Sequence, residues 1–477
     1  MSIALPKEVK KIAEVLRENK YQVFLVGGCV RDILLNKKPK DWDLTTEALP
    51  EDIQRLFPES FYTNNFGTVG IKSEDQKIGI IEVTTFRKEG EYFDRRRPNQ
   101  VFFVKNIEED LGRRDFTINA MALDPFLHRI VDPFCGKVDL KNKLIRAVGN
   151  PSDRFREDAL RLLRGVRFSA QLDFKIEPLT FRALKKEAQL IKEISEERIG
   201  EEFKKIVLSP KPSQGVELLE QAGILCLIIP ELAGTIGVKQ NRHHVYTVYE
   251  HLLKSLEFCP STKLSVRLAA LFHDIAKPQV KRGEGELSTF YNHDLLGARM
   301  VEKVLERLKF SQKIIKKTSL LVKNHMFYYE AETVTPASVR RLIRKTGKEN
   351  IKDLLDLRIA DRLGSGCPKA KPYKLRHLEY LVEKVSNDPI NVGMLKINGN
   401  DLFLAGVEKG PKMGAILDVL LSRVLEDPLL NKKGVLAKEA QKLNNLDLEE
   451  LKTKSREKIK EKKMEEDRIL KDKHWVK

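Results

Sequence analysis

Val23-Phe24-Leu25-Val26-Gly27-Gly28-Cys29-Val30-Arg31-Asp32-Ile33-Leu34-Leu35 runs into a basic turn, Asn36-Lys37-Lys38-Pro39-Lys40, and then into Asp41-Trp42-Asp43-Leu44-Thr45-Thr46. The short valine-rich run Val23 to Val26 reads as a buried strand, and the glycine pair lets the backbone turn sharply against a ligand such as a phosphate. Asp41 and Asp43 stand two apart in a stretch that reads as a second strand, so both carboxylates leave one face of the sheet. Two hard oxygen donors at that spacing recruit Mg²⁺ and suit phosphoryl or nucleotidyl transfer, in which paired ions activate a hydroxyl and neutralise a triphosphate. A lone Asp-x-Asp is more often a solvated turn, so the flanking segments have to carry the reading.

Outward from this stretch, Pro6 to Arg17 reads as an amphipathic helix with Val9, Ile12, Val15 and Leu16 on one side. Pro50 to Phe57 reads as a helix, and Gly67 to Ile71 and Ile78 to Thr85 read as strands. Glu82 offers a third carboxylate from a neighbouring strand, with a plain strand glutamate as the equal alternative. Glu89 to Gln100 mixes Arg95, Arg96 and Arg97 with Tyr92, Phe93 and Pro98 without periodicity, so it reads as a loop. Asp110-Leu111-Gly112-Arg113-Arg114-Asp115-Phe116-Thr117-Ile118-Asn119-Ala120 follows.

In their order, these segments resemble the head domain of class II tRNA nucleotidyltransferases and bacterial poly(A) polymerases. The Arg-Arg-Asp-Phe-Thr-x-Asn-Ala core matches that family's second motif residue for residue. The resemblance implies an α+β fold: a small mixed β-sheet head of the polymerase β-like type, followed by an all-α remainder. It also implies catalytic Asp41, Asp43 and Glu82, Mg²⁺ on Asp41 and Asp43, and nucleotide contacts from Gly28, Arg31 and Arg114. The fixed, always charged fork of an arginine suits a triphosphate, while an ion pair of Arg114 with Asp110 is the structural alternative. In the family the loop at 89–100 helps switch nucleotide choice. Asp132-Pro133-Phe134-Cys135-Gly136 departs from the family's Gly-Gly, because Cys135 stands at the first glycine position.

Arg154-Phe155-Arg156-Glu157-Asp158-Ala159-Leu160-Arg161-Leu162-Leu163-Arg164-Gly165-Val166-Arg167-Phe168 opens a helical neck. Spacing of three puts Asp158, Arg161, Arg164 and Arg167 in one row on a helix. A carboxylate accepts from the exocyclic amine of cytosine or adenine while a guanidinium donates to the ring acceptor beside it, and uracil and guanine present the opposite polarity. One Asp/Arg pair thus selects CTP and ATP, whereas a surface helix laced with ion pairs is the plain alternative. In the resembled family this Glu-Asp-x-x-Arg segment is the protein template. Poly(A) polymerases of the family carry a Gly-Arg-Arg-Phe-like signature where this chain reads Asn65-Phe66-Gly67-Thr68-Val69, which resembles the CCA-adding branch. Enzymes restricted to CC or to A stay open alongside full CCA addition to tRNA.

Of nine histidines, six lie between His243 and His325. The row His251, His273-Asp274, His293, His325 and Asp361 resembles a complete HD domain, which holds one or two divalent metals for phosphoester hydrolysis; His243, His244 and Asp294 are weaker candidates. Imidazole with carboxylate suits Mn²⁺, Ni²⁺, Co²⁺ or Fe²⁺ as well as Mg²⁺. In related enzymes such domains act as phosphatases or 2′,3′-cyclic phosphodiesterases. Lys374 to Asn445 reads as helical, interrupted at Ile397 to Leu402 and at Gly410 to Gly414. The glycines before a helix at Ala415 to Val424 leave N–H groups for a phosphate. These elements resemble the tRNA-holding tail of the CCA-adding branch.

The chain's 477 residues exceed one compact core, and the expected division is 1–148 head, 149–238 neck and body, 239–370 HD domain, 371–445 tail and 446–477 charged segment. A net charge of +18 and a pI near 9.4 point to a polyanionic partner, nucleic acid first. Five scattered cysteines without Cys-x-x-Cys spacing imply neither disulfides nor a zinc ribbon and fit a reducing cytoplasm. No signal peptide or membrane span is expected. The rival readings are a phosphohydrolase whose head only binds RNA, and a non-catalytic tRNA-binding protein. Oligomeric state is not encoded in any of these motifs.

Overall fold

The computed structural model describes residues 5–64, 66–75, 78–90, 100–240, 245–327, 334–366 and 373–454. The arginine loop at 91–99, Asn65, His243, His244, Cys367 and the end of the charged segment lie outside these. The chain forms two compact units, Met1–Gly234 with Val304–Phe310, and Thr235–Lys303 with Ser311–Lys477.

In the first unit α1 (Lys7–Glu18) buries Val9, Ile12, Ala13 and Leu16, the spacing of one helix face. Then come β1 (Val23–Val26), α2 (Gly28–Leu34), β2 (Asp43–Thr46), α3 (Pro50–Leu56), β3 (Phe61–Asn64), β4 (Thr68–Lys72) and β5 (Ile80–Thr85). They are followed by β6 (Arg87–Glu89), β7 (Val101–Phe103), α4 (Ile107–Gly112), β8 (Ala122–Leu123), β9 (Ile130–Val131) and α5 (Gly136–Asn142). Among the described residues β3-β4-β5-β2-β1-β8-β9 form one mixed sheet, in which β2 and β5 pair in parallel and the other neighbours are antiparallel. Val26, Phe86, Ile107, Leu111 and Ala122 bury the α4 side of this head. β2 begins at Asp43, so Asp41 is not a strand residue as expected; it sits exposed in the bend ahead of buried Trp42.

The neck and body comprise β10 (Leu144–Ile145), α6 (Pro151–Glu157), α7 (Leu160–Leu172), β11 (Lys175–Ile176), α8 (Pro178–Lys186), α9 (Glu196–Val207), α10 (Pro212–Gln221), α11 (Leu225–Ile228) and α12 (Pro230–Ala233). The single helix expected through Asp158 is instead two. Asp158 is extended (φ −135°, ψ 105°), and its carboxylate accepts from the Leu160 amide at 3.1 Å. A short acidic side chain that bonds to the backbone two residues on competes with the helix ladder, and here it ends α6 and starts α7.

The second unit is helical: α13 (Val248–Glu257), α14 (Leu264–Phe272), α15 (Lys277–Val280), α16 (His293–Arg307), α17 (Gln312–Asn324), α18 (Pro336–Thr346), α19 (Ile351–Gly364), α20 (Tyr373–Lys384), α21 (Gly399–Leu404), α22 (Pro411–Glu426) and α23 (Lys433–Asn444). α16 runs on into the segment assigned to the first unit. α18, α19 and α20 share one apolar core, and α21 to α23 share another around Leu402, Leu420 and Leu436. Two expected interruptions of the tail are helix starts. Asn398 accepts from the Asn400 and Asp401 amides while Asp401 accepts from Asn398, a capping box that opens α21. α22 begins at Pro411, so Gly414 lies inside the helix and not ahead of it.

Cys135 has φ 58° and ψ 33°, at the cap of α5, where the Asp132 carboxylate accepts from the Gly136 and Lys137 amides. This left-handed conformation is one that side chains disfavour, and the thiol is exposed. Cys135→Gly is therefore expected to stabilise the first unit by about 0.5–1 kcal/mol, read as a higher urea midpoint at unchanged m.

Candidate functional site

β2 and β5 run in parallel with Asp43 opposite Glu82, Leu44 opposite Val83 and Thr45 opposite Thr84. Residues in register share a face, so Asp43 and Glu82 present their carboxylates together while Leu44 and Val83 go into the core. The Asp43 carboxyl is pushed up to about 6, first by burial and then by the Glu82 charge; Asp41 adds to this and Arg114 works against it. Glu82 thus belongs with the two aspartates, although the three are not gathered within the 4.8 Å that marks the tightest acid and histidine groups among the described residues. A carboxylate set held ionised only against its neighbours' repulsion is chemically suited to a hard divalent cation.

Facing these acids is a cleft of about 1020 Å³ whose lining includes Gly27, Gly28, Arg31, Asp43, Arg114, Asp158, Arg161, Arg164 and Arg167. It therefore gathers every nucleotide contact expected from the sequence. Gly27 has φ +74°, and a Cβ there would lie 3.1 Å from Arg114 Nη1 and 3.7 Å from Asp43 Oδ2, so the glycine is needed for both the turn and the approach of Arg114. Arg31 donates to Asn119 Oδ1 at 2.9 Å and pairs with Asp32. Arg114 makes the ion pair with Asp110 (3.2 Å) that was the structural alternative, yet it still lines the cleft. Arg164 donates from Nε to Asp115 at 2.7 Å, and Arg167 lies 3.1 Å from Glu202. Burial would raise the Asp115 carboxyl, but Arg164 outweighs it and holds the group down at about 2; burial lowers Arg167 to about 10. The guanidinium carbons of Arg31, Arg164 and Arg167 lie 5.4, 5.3 and 4.2 Å from the Phe168 ring centre, within cation–π range.

At the neck end, Asp158 pairs with Arg198 of α9 at 3.3 Å, and Arg161 bonds to Glu157 at 2.6 Å and to the Arg113 carbonyl at 3.0 Å. Sequence reasoning missed Arg198, Glu202 and the packing role of Phe168. The first two sit about 40 residues beyond the template segment on an ordinary amphipathic helix, with no local signal. The helix break at Asp158 was legible in principle, because an Asp ahead of an apolar run is an N-cap signal.

A second constellation lies in the helical unit. The two groups His251, His273, Asp274 and Asp274, His293, His325 are each within 4.8 Å, all buried, and share Asp274. His251 and His273 bring Nε2 atoms to 3.0 Å of each other, and His293 and His325 to 3.3 Å. Nδ1 of His273, His293 and His325 lies 3.0, 2.7 and 2.7 Å from a backbone carbonyl, which only accepts, so the proton sits on Nδ1 and Nε2 keeps a lone pair. Between His293 and His325 two such lone pairs face each other, an arrangement a shared cation or a proton relieves, and the whole donor set fits a borderline divalent metal. Asp361 joins from α19, 3.3 Å from His251 Nε2. Burial lowers His273 and His325, keeping them neutral, the form a metal needs. Burial would raise Asp274, but Lys277 at 2.6 Å and the histidines hold it well below the usual carboxylate range. Asp294, the weaker candidate, is in neither group; His243 and His244 lie outside the described residues.

Family models match the chain at residues 23–146 (poly A polymerase head domain), 173–235 (probable RNA and SrmB-binding site of polymerase A) and 292–440 (tRNA nucleotidyltransferase domain 2, putative). The chain is 36% identical over 457 residues to the CCA-adding enzyme of Enterococcus faecalis, covering 92% of this chain and 97% of that one. It is 35% identical over 445 residues to that of Ligilactobacillus salivarius, with 92% and 98% covered. The crystal structure of the Bacillus stearothermophilus CCA-adding enzyme in complex with CTP superposes with a TM-score of 0.70 at 26% identity, over 93% of this chain and 98% of that one. No helix among the described residues is long and apolar enough to cross a membrane.

The raised Asp43 carboxyl has a pH consequence. A carboxyl whose folded pKa of about 6 lies above its usual 3.8 favours the folded state most below pH 4, and that contribution is lost as pH rises through 6. A cation at Asp43 has to displace this proton below pH 6, so Mn²⁺ affinity in the head should fall roughly tenfold per unit from about pH 6 downwards. Titration of the His273→Ala/Asp274→Ala protein by Mn²⁺ electron paramagnetic resonance checks this, and Asp43→Asn should flatten the profile.

Proposed function

The chain belongs to the CCA-adding enzyme family and is a tRNA nucleotidyltransferase, and from that premise we propose that its cleft adds or repairs the full 3′-terminal CCA of tRNA, using CTP and ATP without a nucleic acid template. The observation that carries this reading is that Asp43, in register with Glu82 on the next strand, lines the same cleft as Asp158 and Arg161. Enzymes of this family use divalent metals such as Mg²⁺. Here Asp41 and Asp43 would hold them, with Glu82 beside them; metal bound there would supply activation of the tRNA 3′-hydroxyl and charge neutralisation at the triphosphate.

The protein's own groups do the rest. Arg31 and Arg114 from the head and Arg164 and Arg167 from the neck take the phosphate oxygens, each oriented by an acid behind it. Asp158 accepts from the exocyclic amine of C or A, replacing its pairing with Arg198, while Arg161 donates to the adjacent ring acceptor. UTP and GTP leave both groups mismatched in a partly buried site, which is what excludes them. The residues at 1–148 form the head, 149–238 the neck and body, 239–370 an HD domain, 371–445 a tRNA-binding tail and 446–477 a charged extension.

In the HD domain His251, His273, Asp274, His293, His325 and Asp361 would hold one or two of Mg²⁺, Mn²⁺, Ni²⁺ or Co²⁺, and metal bound there would activate water for phosphoester hydrolysis. Its substrates are 2′,3′-cyclic or terminal phosphates at damaged tRNA ends.

Asp43→Ala should abolish nucleotide addition while tRNA binding by gel shift stays near wild type; addition at the wild-type rate overturns the metal assignment. Asp158→Asn and Arg161→Ala should each cut the preference for CTP over UTP by about 1–3 kcal/mol in relative kcat/KM. The two sites should also be separable. His273→Ala/Asp274→Ala should lose metal-dependent hydrolysis of 2′,3′-cyclic phosphate and still add CCA, with its melting temperature measured alongside because the pair is buried. Hydrolysis that persists in the folded double mutant rules the HD reading out.

A further inference from the structure

We infer that Arg154 is a positioning residue that couples base recognition on the neck to triphosphate binding on the head. The inference rests on the reading of Asp158 and Arg161 as the base template. Arg154 is absent from the lining of the cleft. Its Nη1 donates to the Gly112 carbonyl at 3.0 Å, and its Nη2 pairs with Glu157. Glu157 in turn holds Arg161 at 2.6 Å, and Arg161 Nη2 donates to the Arg113 carbonyl at 3.0 Å. Arg161 Nη1 also returns to the Arg154 carbonyl at 3.2 Å.

These contacts close a ring: Arg154, the Gly112–Arg113 peptide, Arg161, Glu157 and Arg154 again. The two carbonyls are consecutive and lie at the end of α4, a short helix with no basic residue in its last turn. Helix C-terminal carbonyls need outside donors and carry partial negative charge, so two neck guanidiniums satisfy and hold this end. The next residue is Arg114, whose Nη1 would lie 3.1 Å from a Cβ at Gly27 and whose charge lowers Asp43. The ring therefore ties the guanidinium that reads the base to the backbone that aims the guanidinium facing the phosphates. A base that seats Arg161 correctly fixes Arg114, and by reciprocity a bound triphosphate fixes Arg161.

Lysine at 154 keeps the charge but replaces the planar fork, whose Nη1 and Nη2 reach Gly112 O and Glu157 separately, by a single point donor that does not fix the two in the same geometry. In full-length Arg154→Lys we expect the CTP over UTP preference in kcat/KM to fall on the order of tenfold. Affinity for inorganic tripolyphosphate with Mg²⁺, a ligand with no base, should fall severalfold in the same protein. Arg154→Gln should do the same, and both should melt within a few degrees of wild type. If tripolyphosphate affinity stays at the wild-type value in Arg154→Lys while discrimination falls, the residue only braces the template and the coupling is refuted. If discrimination is unchanged in Arg154→Lys but relaxed in Asp158→Asn, the coupling is refuted and the template reading stands. Discrimination unchanged in Asp158→Asn overturns the template reading itself.

Discussion

Parallel pairing of β2 with β5 sets Asp43 against Glu82, and the rest of the first unit follows from that repulsion. Two carboxylates on one half-buried face are unfavourable by themselves: burial first, and the Glu82 charge after it, push Asp43 up to about 6. Leu44 and Val83, fully buried one residue further along the same strands, hold the register against it, and antiparallel neighbours flank the pair on both sides. Slipping the register by one residue would send the acids into the core and the apolar side chains to the cleft. A site of this kind stores its demand for a cation in the fold.

The arginines opposite are arranged by the same logic with the sign reversed. Arg31, Arg114, Arg164 and Arg167 converge on one cleft, and each is backed by an acid: Asp32, Asp110, Asp115 and Glu202. Asp110, Asp115 and Glu202 are buried, and removing any of them would leave a crowded guanidinium without its partner. The pairs fix where each fork points, and Phe168 packs against three of them. Asp110 and Glu202 lie outside the cleft's lining while Asp32 and Asp115 share it, so each guanidinium is neutralised and still reaches the cleft.

The two candidate metal sites differ in donor chemistry as well as in place. The head offers oxygen only, which suits Mg²⁺; the helical unit offers four imidazoles around Asp274 and Asp361, which suits softer divalent ions. The histidines come from α13, the turn after α14, the start of α16 and the end of α17, and the proton-bearing Nδ1 of three rings is fixed on the backbone carbonyl three residues earlier.

Much of this was legible in the sequence because its determinants are local. Strand Val23 to Val26, the Gly27 turn, the Asp-x-Asp, the Arg113-Arg114 motif and the amphipathic helices depend on residue type and short spacing, and the His-Asp row was visible as composition and order. Contacts between distant segments were not legible. Glu82 was legible only as one of two equal readings, and what sets it opposite Asp43 is a parallel register between residues 39 apart, which neither strand's own pattern specifies. That Asp158 breaks its helix depended on a side chain to backbone bond winning over helix propensity, and that it faces Arg198 depended on how α9 packs beside α7. Periodicity reports which face of an element is buried; which charged groups meet across the cleft is decided only when the packed elements bring their polar faces together.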